Sequence, residues 1–331
     1  MARVVLVILI AAAGGFGGYV YYNYRVDAQY DQGRLVSLRV TPRPAGGTSG
    51  NGTDGGPASR QPTFRIATFH VEGLNDRKLA NRRVGDVLLK LLPQFQLVAL
   101  QGLEGDNLSV AARLTEQVSL AAGRPYDYAA VLPRAERADR EYTALLFDQT
   151  VLEIDRTALR SIEDAGGRFR RSPLAALFRT RGPKTDEAFT FQVISLSLHP
   201  DNAPVEAELL DDVFRAVRDD GRGEDDVLLL GDFVVEPDPA GPLAGILDLT
   251  TAIQSLPTTL RGTRRADNIY LMRRATSEFS GRSDVVDLMR AYDLTFDAAR
   301  EISEHLPVWA EFSVFEGGQP GHVAAQPVEW Q

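Results

Sequence analysis

The stretch LDDVFRAVRDDGRGEDDVLLLGDF, residues 210–233, decides how this chain is read. Its first part continues a helical pattern that starts at Val205: Val205, Leu209, Val213 and Val217 recur on one face. Glycine and charged residues end that pattern. Val227–Leu230 is then a short apolar run, the mark of a strand buried on both faces. It leads directly into Gly231-Asp232-Phe233. A carboxylate at the tip of a buried strand, held by a glycine turn, is placed to face a cleft. Taken alone, Asp232 is more often a turn or cap residue than a catalyst, so its weight depends on what surrounds it.

Outward from this stretch the same arrangement repeats. Phe189–Leu198 reads as a strand ending at His199-Pro200. Ala266-Asp267-Asn268-Ile269 opens another strand, and Ser303-Glu304-His305-Leu306-Pro307 precedes a last one, Val308–Val314. Two of the four histidines therefore stand at strand ends near carboxylates. Further strands are predicted at 64–69, 96–101, 126–132, 142–147, 152–155, 175–180 and 249–253. Leu79–Leu92 reads as a helix, with Ala80, Val84, Val87, Leu88 and Leu91 on one face and Pro93 beyond its end, and Leu108–Ala122 reads as another. Strands outnumber helices and often follow one another directly. That predicts an α/β (α+β) body of two mainly antiparallel sheets faced by helices, not a doubly wound parallel sheet.

The order of these motifs over residues 64–315 resembles the DNase I-like endonuclease/exonuclease/phosphatase family: a strand ending in TWN, one ending in QE, a strand with a histidine, then GDFN, a DxI strand, and SDH before the final strand. The resemblance implies a four-layer sandwich and a divalent-metal-dependent phosphoric ester hydrolase acting on nucleic acid or another phosphate ester. It places His199 and His305 as the two catalytic histidines, with Glu141 and Asp267 as their supporting acids and Asp232 as the GDFN aspartate. Arg171, in Phe169-Arg170-Arg171-Ser172-Pro173, matches an arginine that contacts substrate phosphate. Asp232 and Glu304 are the metal candidates, for Mg2+ or Mn2+. An acid partner fixes a histidine's tautomer and raises its basicity, and a cation offsets charge on phosphoryl oxygens.

The departures are specific. His70 stands where the family has the TWN asparagine, and Gly102 where it has the QE glutamate, which removes a carboxylate ligand. Val234 replaces the GDFN asparagine and Glu304 the SDH aspartate. Mg2+ favours oxygen ligands, so its binding is expected to be impaired. Glu72, Glu104 and His70 are candidate replacements, and His70 suits a transition metal better than Mg2+. If the scaffold is intact, restoring Gly102→Glu and Val234→Asn is expected to raise activity.

The remaining features bound the context. The 331 residues are 44% hydrophobic and 24% charged with formal net charge −9, a balance that does not favour broad electrostatic attraction to nucleic acid. Arginines cluster at 168, 170 and 171 and at 261, 264 and 265, as a local basic groove or as solvated surface. The absence of cysteine excludes disulfides and thiolate metal sites. Val4–Tyr22 is an uninterrupted apolar stretch with tyrosines at its end. It reads as a single membrane span, residues 1–25, with the globular domain on the extracytoplasmic side; a cleaved signal peptide is the rival reading. Residues 26–63 form a juxtamembrane segment and a flexible linker that holds six glycines and four prolines between Thr41 and Thr63. The body then spans 64–317, followed by a polar tail, 318–331. Two functions compete: a membrane-tethered hydrolase of weakened or lost activity, and a non-catalytic descendant that binds a phosphate ligand or a protein.

Overall fold

The computed structural model describes residues 24–31, 34–42, 62–133, 140–164, 166–234 and 241–322, the first two segments for their backbone only. Two antiparallel strands, β1 (Tyr24–Asp31) and β2 (Arg34–Pro42), stand where the sequence reading had the end of the span (to residue 25), the juxtamembrane segment and the start of the linker at Thr41. This hairpin belongs to a separate unit, Met1–Ala58, and the body is a second unit, Ser59–Gln331. The apolar stretch 4–22 lies outside the described residues. Among the described residues no helix is long and apolar enough to cross a membrane.

The body holds two six-stranded mixed sheets. The chain runs β3 (Thr63–Leu74), β4 (Leu97–Glu104), β5 (Tyr126–Ala130), β6 (Glu141–Asp148), β7 (Leu152–Ser161), β8 (Leu174–Thr180), β9 (Thr190–Ser197), β10 (Val227–Asp232), β11 (Leu249–Thr251), β12 (Asp267–Met272), β13 (Phe279–Val285) and β14 (Val308–Ser313). One sheet has the order β13-β14-β3-β4-β6-β5, the other β11-β12-β10-β9-β8-β7. Each contains a single parallel pair, β3/β4 and β9/β10, and is otherwise antiparallel.

Side-chain alternation explains the layering. On β10, Leu228 and Leu230 face the main core with Phe178, Phe191 and residues of the other sheet such as Phe64 and Phe312. Val227 and Leu229 face a second core against Val213, Phe214 and Val217 of the helix Leu210–Arg218. The helices Arg82–Leu91 and Ser109–Ala122 bury Val84, Leu88, Val110 and Leu114 in the main cluster with the first sheet. The result is helix, sheet, sheet, helix.

Two differences from the sequence reading affect the site. The helix expected from Val205 is broken into Ala203–Ala207 and Leu210–Arg218, and Val205 is exposed. Its first turn instead buries Glu206, whose carboxylate accepts the backbone N–H groups of Arg170 and His199. The first body strand also runs beyond residue 69 to Leu74, which carries His70 and Glu72 into the sheet. Gly231 (φ +144) is required by close packing: a Cβ there would sit 1.8 Å from the Leu196 carbonyl on the parallel neighbour β9.

Candidate active site

Asp232 is the last residue of β10, 2% exposed. Its Oδ1 accepts the backbone N–H of Val234 at 2.8 Å, so the turn after the strand fixes the carboxylate. Oδ2 lies 2.8 Å from His70 Nδ1 on β3 of the opposite sheet. Burial alone would raise the Asp232 pKa, but the His70 hydrogen bond and the His305 and His70 charges hold it below the usual carboxylate range.

His70 is enclosed by acids. Its Nε2 lies 3.5 Å from Glu141 Oε1. Burial alone would lower its pKa, but contact with Asp232 and Glu141 outweighs burial and raises it to about 10. Glu141 Oε2 also pairs with Arg171 Nη2 at 2.8 Å, and Arg171 Nη1 donates to Ser197 Oγ at 3.1 Å.

His305 forms the second half of the pocket. Its ring centroid is 4.7 Å from that of His70. Nδ1 lies 2.8 Å from Asp267 Oδ2, and Asp267 is fully buried at the start of β12. Thr258 braces that aspartate, its Oγ1 donating to Oδ2 at 3.2 Å. Burial raises the Asp267 pKa, to about 6, against the pull of His305; Asp267 in turn raises His305 against its own burial. This leaves Nε2 of His305 facing the pocket, 3.5 Å from Glu72 Oε1 and 3.7 Å from Asp232 Oδ2. Ser303 ties the segment down. Its hydroxyl lies 2.6 Å from the His70 carbonyl and accepts the His305 N–H at 2.8 Å.

The structure thus brings Asp232, Glu141, Asp267, His305 and Arg171 together, and it adds His70 and Glu72. It does not join His199 to Glu141: no hydrogen bond or ion pair links these two described residues. His199 follows β9, and its Nδ1 accepts the N–H of Asp201 in its own turn at 3.2 Å. Glu304 is exposed. Its backbone N–H donates to Glu72 Oε2 at 3.1 Å, and its carboxylate makes no ion pair among the described residues. Glu104 accepts a long hydrogen bond, 3.4 Å, from Asn75 and stands outside the cluster. Glu72 and His70 were visible as acid and imidazole near a strand end. Their partners became readable only from strand register.

Gly102 and His70 belong together. Both strands shift register here, between His70 and Leu74 on β3 and between Leu100 and Leu103 on β4. Gly102 adopts φ +83, and a Cβ on it would sit 2.5 Å from the Val71 carbonyl oxygen and 2.9 Å from His70 Cδ2. The His70 ring fills the space over the glycine, so a glutamate at 102 does not fit this backbone.

The donor set tests the expected cation. His70, Asp232 and His305 each offer one ligand atom, all within 4.8 Å of one another. Two nitrogens and one carboxylate oxygen suit a borderline transition ion and suit Mg2+ poorly. The pocket also holds four carboxylates, Asp232, Asp267, Glu141 and Glu72, beside the cationic groups His70, His305 and Arg171, with Lys78 against Glu72 at its edge.

Comparison with solved structures of similar fold decides the architecture. Truncated TDP2 from Caenorhabditis elegans superposes with a TM-score of 0.52 at 12% identity, covering 76% of this chain and 98% of that one. The catalytic domain of human Nocturnin, with bound sulfate, gives 0.50 at 16% identity, covering 77% and 94%. This is the DNase I-like endonuclease/exonuclease/phosphatase fold. Among curated proteins, the DNase I-like body is similar to deoxyribonuclease-1 of Gallus gallus (24% identity over 167 residues, 50% of this chain and 58% of that protein). It is also similar to deoxyribonuclease-1-like 2 of Homo sapiens, 24% identical over 181 residues, half of this chain and 60% of that protein. The match to Bos taurus deoxyribonuclease-1 is longer, 22% over 253 residues, 72% and 88%. The chain therefore spans about three-fifths of the first two relatives. No family model matches the sequence.

Proposed function

We propose that this DNase I-like domain is a divalent-cation-dependent phosphoric ester hydrolase, acting on nucleic acid or another phosphate ester, and that the N-terminal apolar stretch tethers it to a membrane. The observation that carries the reading is the His305–Asp267 pair, whose free Nε2 faces Asp232 and His70 across one pocket. Asp267 orients the imidazole, so His305 moves a proton at Nε2. It takes that proton from a water whose oxygen bonds to phosphorus. The ester P–O bond breaks and its oxygen leaves, protonated by solvent. Arg171, set by Glu141 and Ser197, supplies a guanidinium for a phosphate oxygen. Asp232 and His70 would hold the cation once His70 gives up its proton, leaving His305 for the proton of the reaction. When bound, the cation supplies positive charge against that developing on the phosphoryl oxygens.

A second reading, a non-catalytic phosphate or protein binder, is favoured by one observation. The Asp232 carboxylate is already engaged by His70 at 2.8 Å, beside a position that accepts no glutamate. One assay separates them. The full chain is incubated with plasmid DNA and with bis(p-nitrophenyl) phosphate in Zn2+, Mn2+, Mg2+ or chelator. Cation-dependent cleavage abolished by His305→Ala supports the hydrolase. Absence of turnover with every ion, while phosphate ester binding persists, supports the binder.

A further inference from the structure

The opposite end of β10 carries a second group of acids. Asp226 precedes β10, Glu278 precedes β13 and Glu316 follows β14. Each offers a carboxylate oxygen within 4.8 Å of the others. Asp226 and Glu278 are each 2% exposed and Glu316 is half-buried. Asp226 Oδ1, Glu278 Oε2 and Glu316 Oε2 are all buried without a hydrogen-bond partner.

Acids gather in proteins for many reasons, and a separate side chain indicates a ligand here. Thr276 is also 2% exposed, and its hydroxyl has no hydrogen-bond partner. It leans towards Asp226 without reaching hydrogen-bonding geometry. Four buried oxygens are thus left unsatisfied in one place, against the general rule for protein interiors. No lysine or arginine among the described residues pairs with any of the three carboxylates. The groups that act on them are Glu224 and Asp225 from the same turn and His322, whose ring packs on Gly317.

We propose that Asp226, Glu278 and Glu316 form a Ca2+ site that clasps the two sheets together. Ca2+ takes oxygen ligands at 2.3–2.6 Å, so its ligands lie no more than about 5 Å apart, which these oxygens satisfy. Three carboxylates and a hydroxyl, with no nitrogen donor, match its preference. Flexible geometry favours it over Mg2+, which demands an octahedron and keeps its waters. Asp226 comes from the sheet of β9 and β10, while Glu278 and Glu316 flank strands of the other sheet. At about 3.3 Å per residue, the six steps from Asp226 to Asp232 separate this site from the active site by roughly 20 Å. It is therefore independent of the proposed hydrolysis.

The test is calorimetric titration of Ca2+ into the full chain, paired with thermal melting. One Ca2+ per chain is expected, with at least tenfold weaker binding of Mg2+ and a melting temperature raised by about 5 °C at saturation. Asp232→Asn keeps the response and Glu278→Gln loses it. No binding to the wild type, or an unchanged response in Glu278→Gln, overturns the proposal. So does a Glu278→Gln chain that melts above the wild type while the wild type ignores Ca2+, which marks carboxyls sharing protons. Should Glu278→Gln fail to fold, Thr276→Val takes its place: roughly tenfold weaker Ca2+ binding is expected, and undiminished affinity overturns the site.

Discussion

His70 Nδ1 and Asp232 Oδ2 lie 2.8 Å apart although 162 residues separate them in the chain. The bond runs from β3 in one sheet to β10 in the other, so it crosses the sandwich at its functional end. It also places an imidazolium beside a carboxylate where the family resemblance implies a metal.

That ion pair makes stability depend on pH in a defined window. The His70 pKa is raised from 6.5 to about 10, against burial, by Asp232 and Glu141. A raised folded-state pKa gives stability that is fully present below about pH 6.5 and lost as pH rises through about 10. In chelator, the melting-temperature gap between wild type and His70→Asn should be widest at pH 6 and narrow by several degrees at pH 9.5. A gap that stays constant across that range would show that His70 is not the charged partner.

Gly102→Glu should destabilise the protein and leave hydrolysis no faster, reversing the expectation drawn from sequence. A Cβ at 102 meets the Val71 carbonyl at 2.5 Å and the His70 ring at 2.9 Å, with φ at +83. Backbone strain and overpacking each cost about 1–3 kcal/mol, and 1 kcal/mol moves the melting temperature of a domain this size by ~2–4 °C. A drop of at least 5 °C is expected by calorimetry. A variant as stable as the wild type would mean that β3 and β4 can separate here.

Val234→Asn should act in the opposite direction. Val234 holds φ +61, a left-handed conformation that a β-branched side chain adopts at a cost of roughly 1–2 kcal/mol and that asparagine tolerates. Its side chain packs only at the margin of the second core. A rise of ~2–4 °C in melting temperature is expected. A fall would mean that the apolar contact outweighs the strain.

Much of this architecture is legible in the sequence because it is local. Val227–Leu230 alternates between two cores, Asp232 ends the strand, and Asp267 and His305 begin or precede strands, so each carries its own signal. Legibility stops where register and distant packing decide. That His70 meets Asp232 and Glu141, and not His199, depends on bulges in β3 and β4 that leave no periodic trace. The break at Glu208–Leu209 was hidden because Val205 continues the apolar spacing, while buried Glu206 is held inward by Arg170 and His199 backbone groups. Asp226, Glu278 and Glu316 read as ordinary surface acids until three strand ends bring them together.

The two histidines singled out by the sequence should differ in kinetic weight. His305 is fixed by a buried aspartate and faces the pocket, whereas His199 is held by its own turn through Asp201. Loss of a positioned proton-transfer group typically costs 10²–10⁴-fold. His305→Ala should therefore lower kcat on bis(p-nitrophenyl) phosphate by at least about 100-fold, and Asp267→Asn, which disturbs the tautomer, by a comparable factor. His199→Ala should cost less than roughly tenfold, because the acid beside its ring is the exposed Asp201 of its own turn, 4.0 Å away, and not a buried carboxylate of the pocket. Binding of the cation, followed by calorimetry, should survive His305→Ala if Asp232 and His70 are the residues that hold it. Equal losses at His199 and His305 would place His199 in the reacting pair, and loss of cation binding in His305→Ala would make His305 a ligand and leave the proton without a carrier.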